Sequence, residues 1–369
     1  MEVEKVKYLI VGAGLSGLSL ASILCENGEE SFKILEARSR AGGRILTKEG
    51  IDLGATWFQD QHVYIQELLN KCGINFHEQY SKGKHILVYN SMAPPHFFEN
   101  DPNSPRAMRI AGGSVALIDS ISKPIMANIE FQSPVTSIVK TENILEVKTN
   151  RRIYHANKVI LCLPPKLAEQ IEFTPALPNY LREVMRNTHT WMSNAIKLGI
   201  TYPKAFWKEQ GLSGTILGQK GPVMELYDHS NASGNQYSLM GFVNEALRDK
   251  TPANRKELIL TYLEKYLGPE ARNYTRYEEK DWANEEFTSG SQLKSVYMSP
   301  QYGNAVFEEA YFNDSLYFSG TETSPVHGGY LEGAIYSSLK TVHKILAEAS
   351  KTALWIIIYF SLNYAYYIG

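Results

Sequence analysis

Residues 6–18 read Val6-Lys7-Tyr8-Leu9-Ile10-Val11-Gly12-Ala13-Gly14-Leu15-Ser16-Gly17-Leu18, and this stretch decides the fold. An apolar run of strand length, Val6–Val11, is cut off by glycine. The pattern over Leu15–Asn27 predicts a helix, with Gly28 just past its end as a stop signal. Phe32–Glu36 reads as the next strand. A strand, a helix and a strand in that order predict a parallel sheet. Gly12-x-Gly14-x-x-Gly17 is common as a bare string, but here it joins a strand to a helix, the context in which it carries a nucleotide. Gly12 permits the tight turn, Gly14 lets a pyrophosphate approach the backbone, and Gly17 lets helix and strand pack closely. Leu15 and Ser16 open the helix, whose free N–H groups and partial positive charge face the phosphates. Glu36 follows about 20 residues on, where a carboxylate accepts from a ribose hydroxyl.

This fingerprint does not separate NAD from FAD. The next segment, Glu36-Ala37-Arg38-Ser39-Arg40-Ala41-Gly42-Gly43-Arg44, bears on that choice. Gly42-Gly43 lets the chain run close to a cofactor, and Arg44 can fork onto a phosphate in a way lysine cannot. Asp52-Leu53-Gly54-Ala55-Thr56-Trp57 is a second turn of small residues, suited to backbone passing beside a flat ring.

Outward from these motifs, 369 residues suggest two or three domains. With 44% hydrophobic and 21% charged residues the chain is ordinary globular material. A net charge of −2 gives no support to nucleic acid as a partner. Three scattered cysteines, Cys25, Cys72 and Cys162, form neither a disulfide framework nor a zinc set, and no histidine spacing suggests a metal. The N-terminus lacks a cleavable signal pattern, so a cytoplasmic location is expected. Residues 353–369 carry no charge. As a helix they would reach about 25 Å against a hydrocarbon core of about 30 Å, so they read either as a membrane tether or as a segment packed on the body.

No repeat and no linker divides the chain. Lys158–Leu163, Ala195–Tyr202, Gln236–Val243 and Tyr317–Gly320 read as strands. Arg255–Tyr266 and Glu332–Glu348 read as helices. Alternating elements at both ends around a strand-rich middle suggest one domain interleaved with another.

A second block, Phe318-Ser319-Gly320-Thr321-Glu322-Thr323 with Gly328-Gly329-Tyr330-Leu331-Glu332-Gly333-Ala334, makes a resemblance explicit. With the opening blocks it resembles the flavin-containing amine oxidase family, over most of residues 6–350. Arg109–Gly113, Pro134-Val135, Val159–Pro165, Ala195–Leu198 and Tyr277–Trp282 resemble further segments of that family. The resemblance implies an α/β fold: an FAD-binding Rossmann-like (GR2-type) domain with an interleaved, reduced α+β substrate domain. Expected boundaries are 1–79, 109–186 and 290–352 for the FAD domain, 80–108 and 187–289 for the substrate domain, and 353–369 for the tail. It places FAD along Gly12, Gly14, Leu15, Ser16, Gly17, Glu36, Ala37, Arg38, Gly43, Arg44, Gly54, Ala55, Thr56, Trp57, Val135, Gly320, Glu322, Tyr330, Leu331 and Ala334. It also implies oxidation of a small-molecule amine with O2 as acceptor.

Candidate catalytic residues are Lys197, Tyr330 and Trp282. An amine reacts when neutral, and burial favours that form, so an apolar pocket with an electron-rich face suits the chemistry. The resemblance puts Tyr330 at that face and gives Lys197 a water on the flavin and a part in reoxidation. By alternation alone, Lys197 could equally be an edge-strand lysine with a solvated head. Trp282 either walls the pocket or fills the core. His327 either faces the flavin or is a satisfied structural histidine.

Two departures stand out. Members that attach FAD through cysteine do so a few residues after the tryptophan. Here that stretch is Ser289-Gly290-Ser291-Gln292, so non-covalent FAD is expected. A second cage aromatic is also absent there unless Trp57 or Tyr297 substitutes. The interval from Trp57 to Gly112, with a Pro-rich stretch at Met92–Pro105, is too short for the family's helical segment, so a more open flavin site is expected. Two other readings stay open: an FAD-dependent desaturase or oxidase of a lipophilic CH–CH substrate, and a non-catalytic flavoprotein.

Overall fold

The structure is a computed structural model that describes residues 3–90, 93–101, 103–289 and 301–347. The hydrophobic tail 353–369, Ser291, Gln292 and Tyr297 lie outside the described residues. Among those described, no helix is long and apolar enough to cross a membrane.

The opening strand, Val3–Val11, pairs in parallel with Phe32–Leu35 on one side and Ile153–Leu161 on the other. Between the first two runs the helix Leu15–Glu26, and Gly28 beyond it takes a left-handed φ of 79°. Ile129–Glu130 and Leu316–Phe318 extend the parallel set. The strand expected at Lys158–Leu163 is longer at its start. Buried Tyr154 and Ala156 alternate with more exposed neighbours, so its first half closes an antiparallel meander with Leu145–Thr149 and Val135–Lys140. Its second half, buried on both faces, is the apolar run that the sequence shows.

Helices Leu15–Glu26, Val63–Lys71, Val115–Ser122 and the helix at 331–347 bury their apolar sides in one core. A second core on the other face takes Leu181 and Met185 from the helix Asn179–Asn187. The start of the chain meets its far end through serines. Ser16 Oγ lies 2.9 Å from Ser319 Oγ and 3.1 Å from Ser338 Oγ.

A seven-stranded sheet forms the middle, in the order Arg276–Asp281, Ile196–Tyr202, Tyr237–Val243, Val223–Asp228, Leu212–Gly218, Lys84–Val88, His96–Phe98. The helix Pro252–Leu267 covers one face, packing Ile259 and Leu263 against Ile196, Leu198 and Ile200. The opposite face takes Ile51, which sits so close to Gly199 that an added Cβ would lie 2.4 Å from Ile51 Cγ2. Among the described residues between 72 and 114 there is no helix. That interval is strand, turn and loop, and its hairpin Lys84–Val88/His96–Phe98 joins the sheet edge.

Candidate active site

A cavity of about 980 Å³ runs between the two sheets, at the upper end of ligand-site volumes. Every cofactor residue expected from sequence lines it except Gly17. Gly17 stands behind the wall, where an added Cβ would lie 2.0 Å from Gly12 O and 3.2 Å from Ile10 Cγ2. It shapes the turn without touching what fills it.

The phosphate end is built from backbone. Gly12 has φ 108°, and an added Cβ would come within 2.7 Å of Cys162 O. Gly14 caps the helix with no side-chain acceptor, and space is open where its Cβ would be. The helix thus offers unfilled N–H groups to the cavity. Gly42-Gly43 are needed because the chain doubles back here: Gly42 N donates to Ala13 O at 2.8 Å and pairs with Gly14 as a parallel bridge. Glu36 is buried, accepting from Ala13 N at 2.8 Å and Arg38 N at 2.9 Å, one on each oxygen. Each oxygen keeps a lone pair for a ribose hydroxyl. An empty helix cap, a glycine cradle and a fixed acid about 20 residues on fit FAD.

Arg44 lines the cavity and has a protein partner that the sequence reading did not name. Nη1 donates to Glu322 Oε1 at 2.5 Å and Nη2 to Oε2 at 2.9 Å. Glu322 is 1% exposed, and a carboxylate so buried needs a partner. The pair is one part of the wall, facing the cavity as a fixed dipole.

Lys197 is not an edge lysine. Its strand is paired on both sides, with Phe242 and Lys280 as its cross-strand neighbours. Its Nζ is buried at the wall, donating to Gly54 O at 2.7 Å and Thr56 Oγ1 at 2.8 Å. It lies 5.1 Å from the Phe242 ring centre and 5.5 Å from that of Trp57. Burial pulls its pKa down to about 7, with Asp52 opposing and Arg109 adding to the shift.

Trp282 does both jobs expected of it: 3% exposed, it donates Nε1–H to Leu53 O at 2.7 Å and lines the cavity. Tyr330 lies at the mouth, 47% exposed, with its ring 5.2 Å from His62. The His327 ring lies 4.3 Å from that of His62, tilted by 53°, and His327 does not line the cavity. Burial, then His327, pulls His62 down to about 4, so it is neutral near pH 7.

Sequence reasoning missed Tyr227, Phe242, Glu225, Gln79, Trp191 and Phe287, all on the wall. Trp57 meets Tyr227 edge-on at 5.1 Å and donates Nε1–H to Gln79 Oε1 at 2.8 Å. With Phe242 they add an aromatic wall beside Lys197. The signal was present as alternation: Glu225 and Tyr227 share a strand face, and register sets Glu225 opposite Phe242 and Phe242 opposite Lys197.

Comparison with known proteins agrees with this geometry. The family model described as flavin containing amine oxidoreductase matches residues 15–108 and 88–346. An amine oxidase [flavin-containing] of Oncorhynchus mykiss is 25% identical over 457 positions, covering 93% of this chain and 86% of that protein. Since 457 exceeds the 369 residues here, that relative carries stretches with no counterpart. Amine oxidase [flavin-containing] B of Homo sapiens is 30% identical over 264 residues, covering 68% of this chain and 49% of that protein. Putrescine oxidase bound to putrescine shares the fold, with TM-score 0.82 and 22% identity over 94% of this chain and 100% of that one. Cyclohexylamine oxidase from Brevibacterium oxydans does so with TM-score 0.83 and 21% identity, over 94% of this chain and 99% of that one. This chain belongs to the flavin-containing amine oxidoreductase family, and it is an FAD-dependent enzyme.

Proposed function

We propose that this enzyme oxidises an amine at its C–N bond, with O2 as final acceptor, so that an imine and hydrogen peroxide leave. FAD, when bound, supplies the hydride acceptor at N5 and returns the electrons to oxygen. The observation that carries this reading is Lys197: a buried amine, set on the cavity wall by two backbone ladders, facing the space between the two cofactor blocks.

The chain's own residues have three tasks. The aromatic wall of Trp57, Tyr227 and Phe242 excludes water and favours a neutral amine. Tyr330 offers a ring face at the mouth. Lys197, with a pKa of about 7, holds a water by hydrogen bond when neutral and stabilises negative charge on oxygen when protonated. Trp191 and Tyr330 are both more than two-fifths exposed at the mouth, which suits an amine carried on a bulky group better than a small aliphatic amine.

Anaerobic mixing of the holoenzyme with a panel of primary, secondary and polyamines tests this. Amine-driven bleaching of the flavin band, followed by peroxide on admission of air, is the expected result. Bleaching by dithionite alone overturns it, and bleaching by a lipophilic polyene instead of any amine moves the enzyme to CH–CH chemistry.

A further inference from the structure

Behind Lys197 lies a cluster of buried ionisable groups that amine oxidation as described does not use. Asp52 ends the strand Ile51–Asp52, two positions before the Gly54 carbonyl that holds Lys197, and its side chain is fully buried. Its Oδ1 accepts from Thr47 Oγ1 at 2.6 Å and from Ser114 N at 2.9 Å. Its Oδ2 has no hydrogen-bond partner. His229 Nε2 stands 3.7 Å from Oδ2, but that nitrogen accepts from Asp52 N at 3.1 Å and so carries no proton. Its Nδ1 is buried without a partner.

Arg109 completes the set. It is 4% exposed, and Nη1 and Nη2 go to the carbonyls of Ser230 and His229 at 3.0 and 3.4 Å. Its Nε has no acceptor. Among the described residues no carboxylate lies in ion-pair contact with Arg109 or with Lys197. Asp228 is already committed to Lys208 at 3.0 Å and Trp207 Nε1 at 3.0 Å. Lys280, the cross-strand neighbour of Lys197, is paired with Glu285. Glu225, beyond Phe242, accepts from Tyr227 Oη. Asp52 is thus the carboxyl that acts on both Lys197 and Arg109, with Asp228 also acting on Arg109. Burial pushes the Asp52 carboxyl above its ordinary range, and Thr47, Ser114, Lys197 and Arg109 hold it back toward the charged form.

We propose that Asp52 is a positioning residue for Lys197: its buried carboxylate is the counter-charge that lets the lysine hold a proton at the cavity wall. An isolated buried ammonium loses its proton. The Asp52 charge raises the tendency of Lys197 to be protonated and the Arg109 charge lowers it, both against the larger effect of burial. His77 and His229 face the cluster too. Burial and the Arg109 charge hold both below the ordinary histidine range, so they are neutral and do not replace the carboxylate. This rests on the reading of Lys197 as the group that serves the oxygen step.

The test is a titration of Lys197 in the holoenzyme, read as the ¹⁵N shift of its Nζ in lysine-labelled protein and assigned by the signal missing in Lys197→Met. Asp52→Asn keeps the acceptor for Thr47 and Ser114 and removes the charge. The Lys197 midpoint is expected to fall by at least one pH unit. Arg109→Gln removes the like charge, and the midpoint is expected to rise. A packing role alone would not move the two variants in opposite directions. Either variant suffices if the other does not fold. A midpoint within about 0.3 unit of wild type in the folded variants overturns the proposal. Stopped-flow reoxidation across the same pH range separates the underlying reading. A midpoint that moves while the reoxidation profile stays put upholds Asp52 as counter-charge and overturns the oxygen role of Lys197.

Discussion

Arg44 and Glu322, 278 residues apart in the chain, meet in a two-pronged ion pair on the cavity wall. The pair locks the turn after the ribose acid to the turn that opens the second flavin block. Glu322→Gln should leave Arg44, 26% exposed at its side chain, without its counter-charge. Breaking a fully buried pair costs about 3–5 kcal/mol, and the partial exposure of Arg44 puts the expected loss nearer 2 kcal/mol. Urea unfolding of apoprotein reads it as a lower midpoint with unchanged slope. FAD retention on a desalting column should fall with it.

Two glycines of the phosphate turn, Gly14 and Gly17, should fail differently. Gly14→Ala has room in the protein and an ordinary φ of −74°, so the apo fold should unfold within about 0.5 kcal/mol of wild type. Its methyl group would project into the cavity, and FAD affinity should drop at least tenfold, by about 1.4 kcal/mol. Gly17→Ala meets Gly12 O at 2.0 Å, and its apoprotein should be destabilised outright. Thermal melts with and without added FAD separate the two. Equal behaviour of Gly14→Ala and Gly17→Ala would remove the phosphate role of Gly14.

Lys197→Met should stabilise the protein near neutral pH, in a pH-dependent way. The folded pKa of about 7 lies below the ordinary 10.5, so between these values the unfolded chain holds more protons than the folded one. Stability of the wild type therefore rises with pH across that window. The ionisation penalty is full below pH 7 and vanishes as pH approaches 10.5. The advantage of Lys197→Met, on the order of 5 kcal/mol below pH 7, should shrink as pH rises. A constant difference from pH 6 to 10 would show that the buried amine titrates normally.

FAD should come away intact on acid precipitation. Ser291 and Gln292 lie where the resemblance would put an attaching cysteine. Among the described residues the one cysteine on the cavity wall is Cys162, beside Gly12 at the phosphate end. Burial pushes its thiol up to about 12, so it stays protonated and unreactive. Yellow pellet and colourless supernatant would overturn this.

Local signals carried the nucleotide half of the molecule. A strand, a glycine turn and a helix are contiguous, so Val6–Val11, Leu15–Asn27 and Glu36 could be read in order, and the structure has Val3–Val11 and Leu15–Glu26 there. The substrate half is antiparallel, and there the informative relation is register between distant strands. Tyr227 and Phe242 alternate properly along their own strands, but nothing local says that both face Lys197. Arg44 shows the same limit: its fork was read for a phosphate, and its pairing with Glu322, 278 residues on, was not legible. Asp52, Arg109 and His229 come from three separate stretches and become a cluster only when the small sheet of Trp57–Gln59, Phe76–Glu78 and Ala107–Ile110 folds against the larger one.

The serine contacts of Ser16 with Ser319 and Ser338 have a consequence for biosynthesis. A ribosome delivers the phosphate turn early and its closing partner some three hundred residues later. During that interval the emerging polypeptide has a half-built nucleotide groove with nothing to seal it. Loading of the yellow prosthetic group must therefore wait for translation of the helix at 331–347, and prematurely terminated products should accumulate colourless.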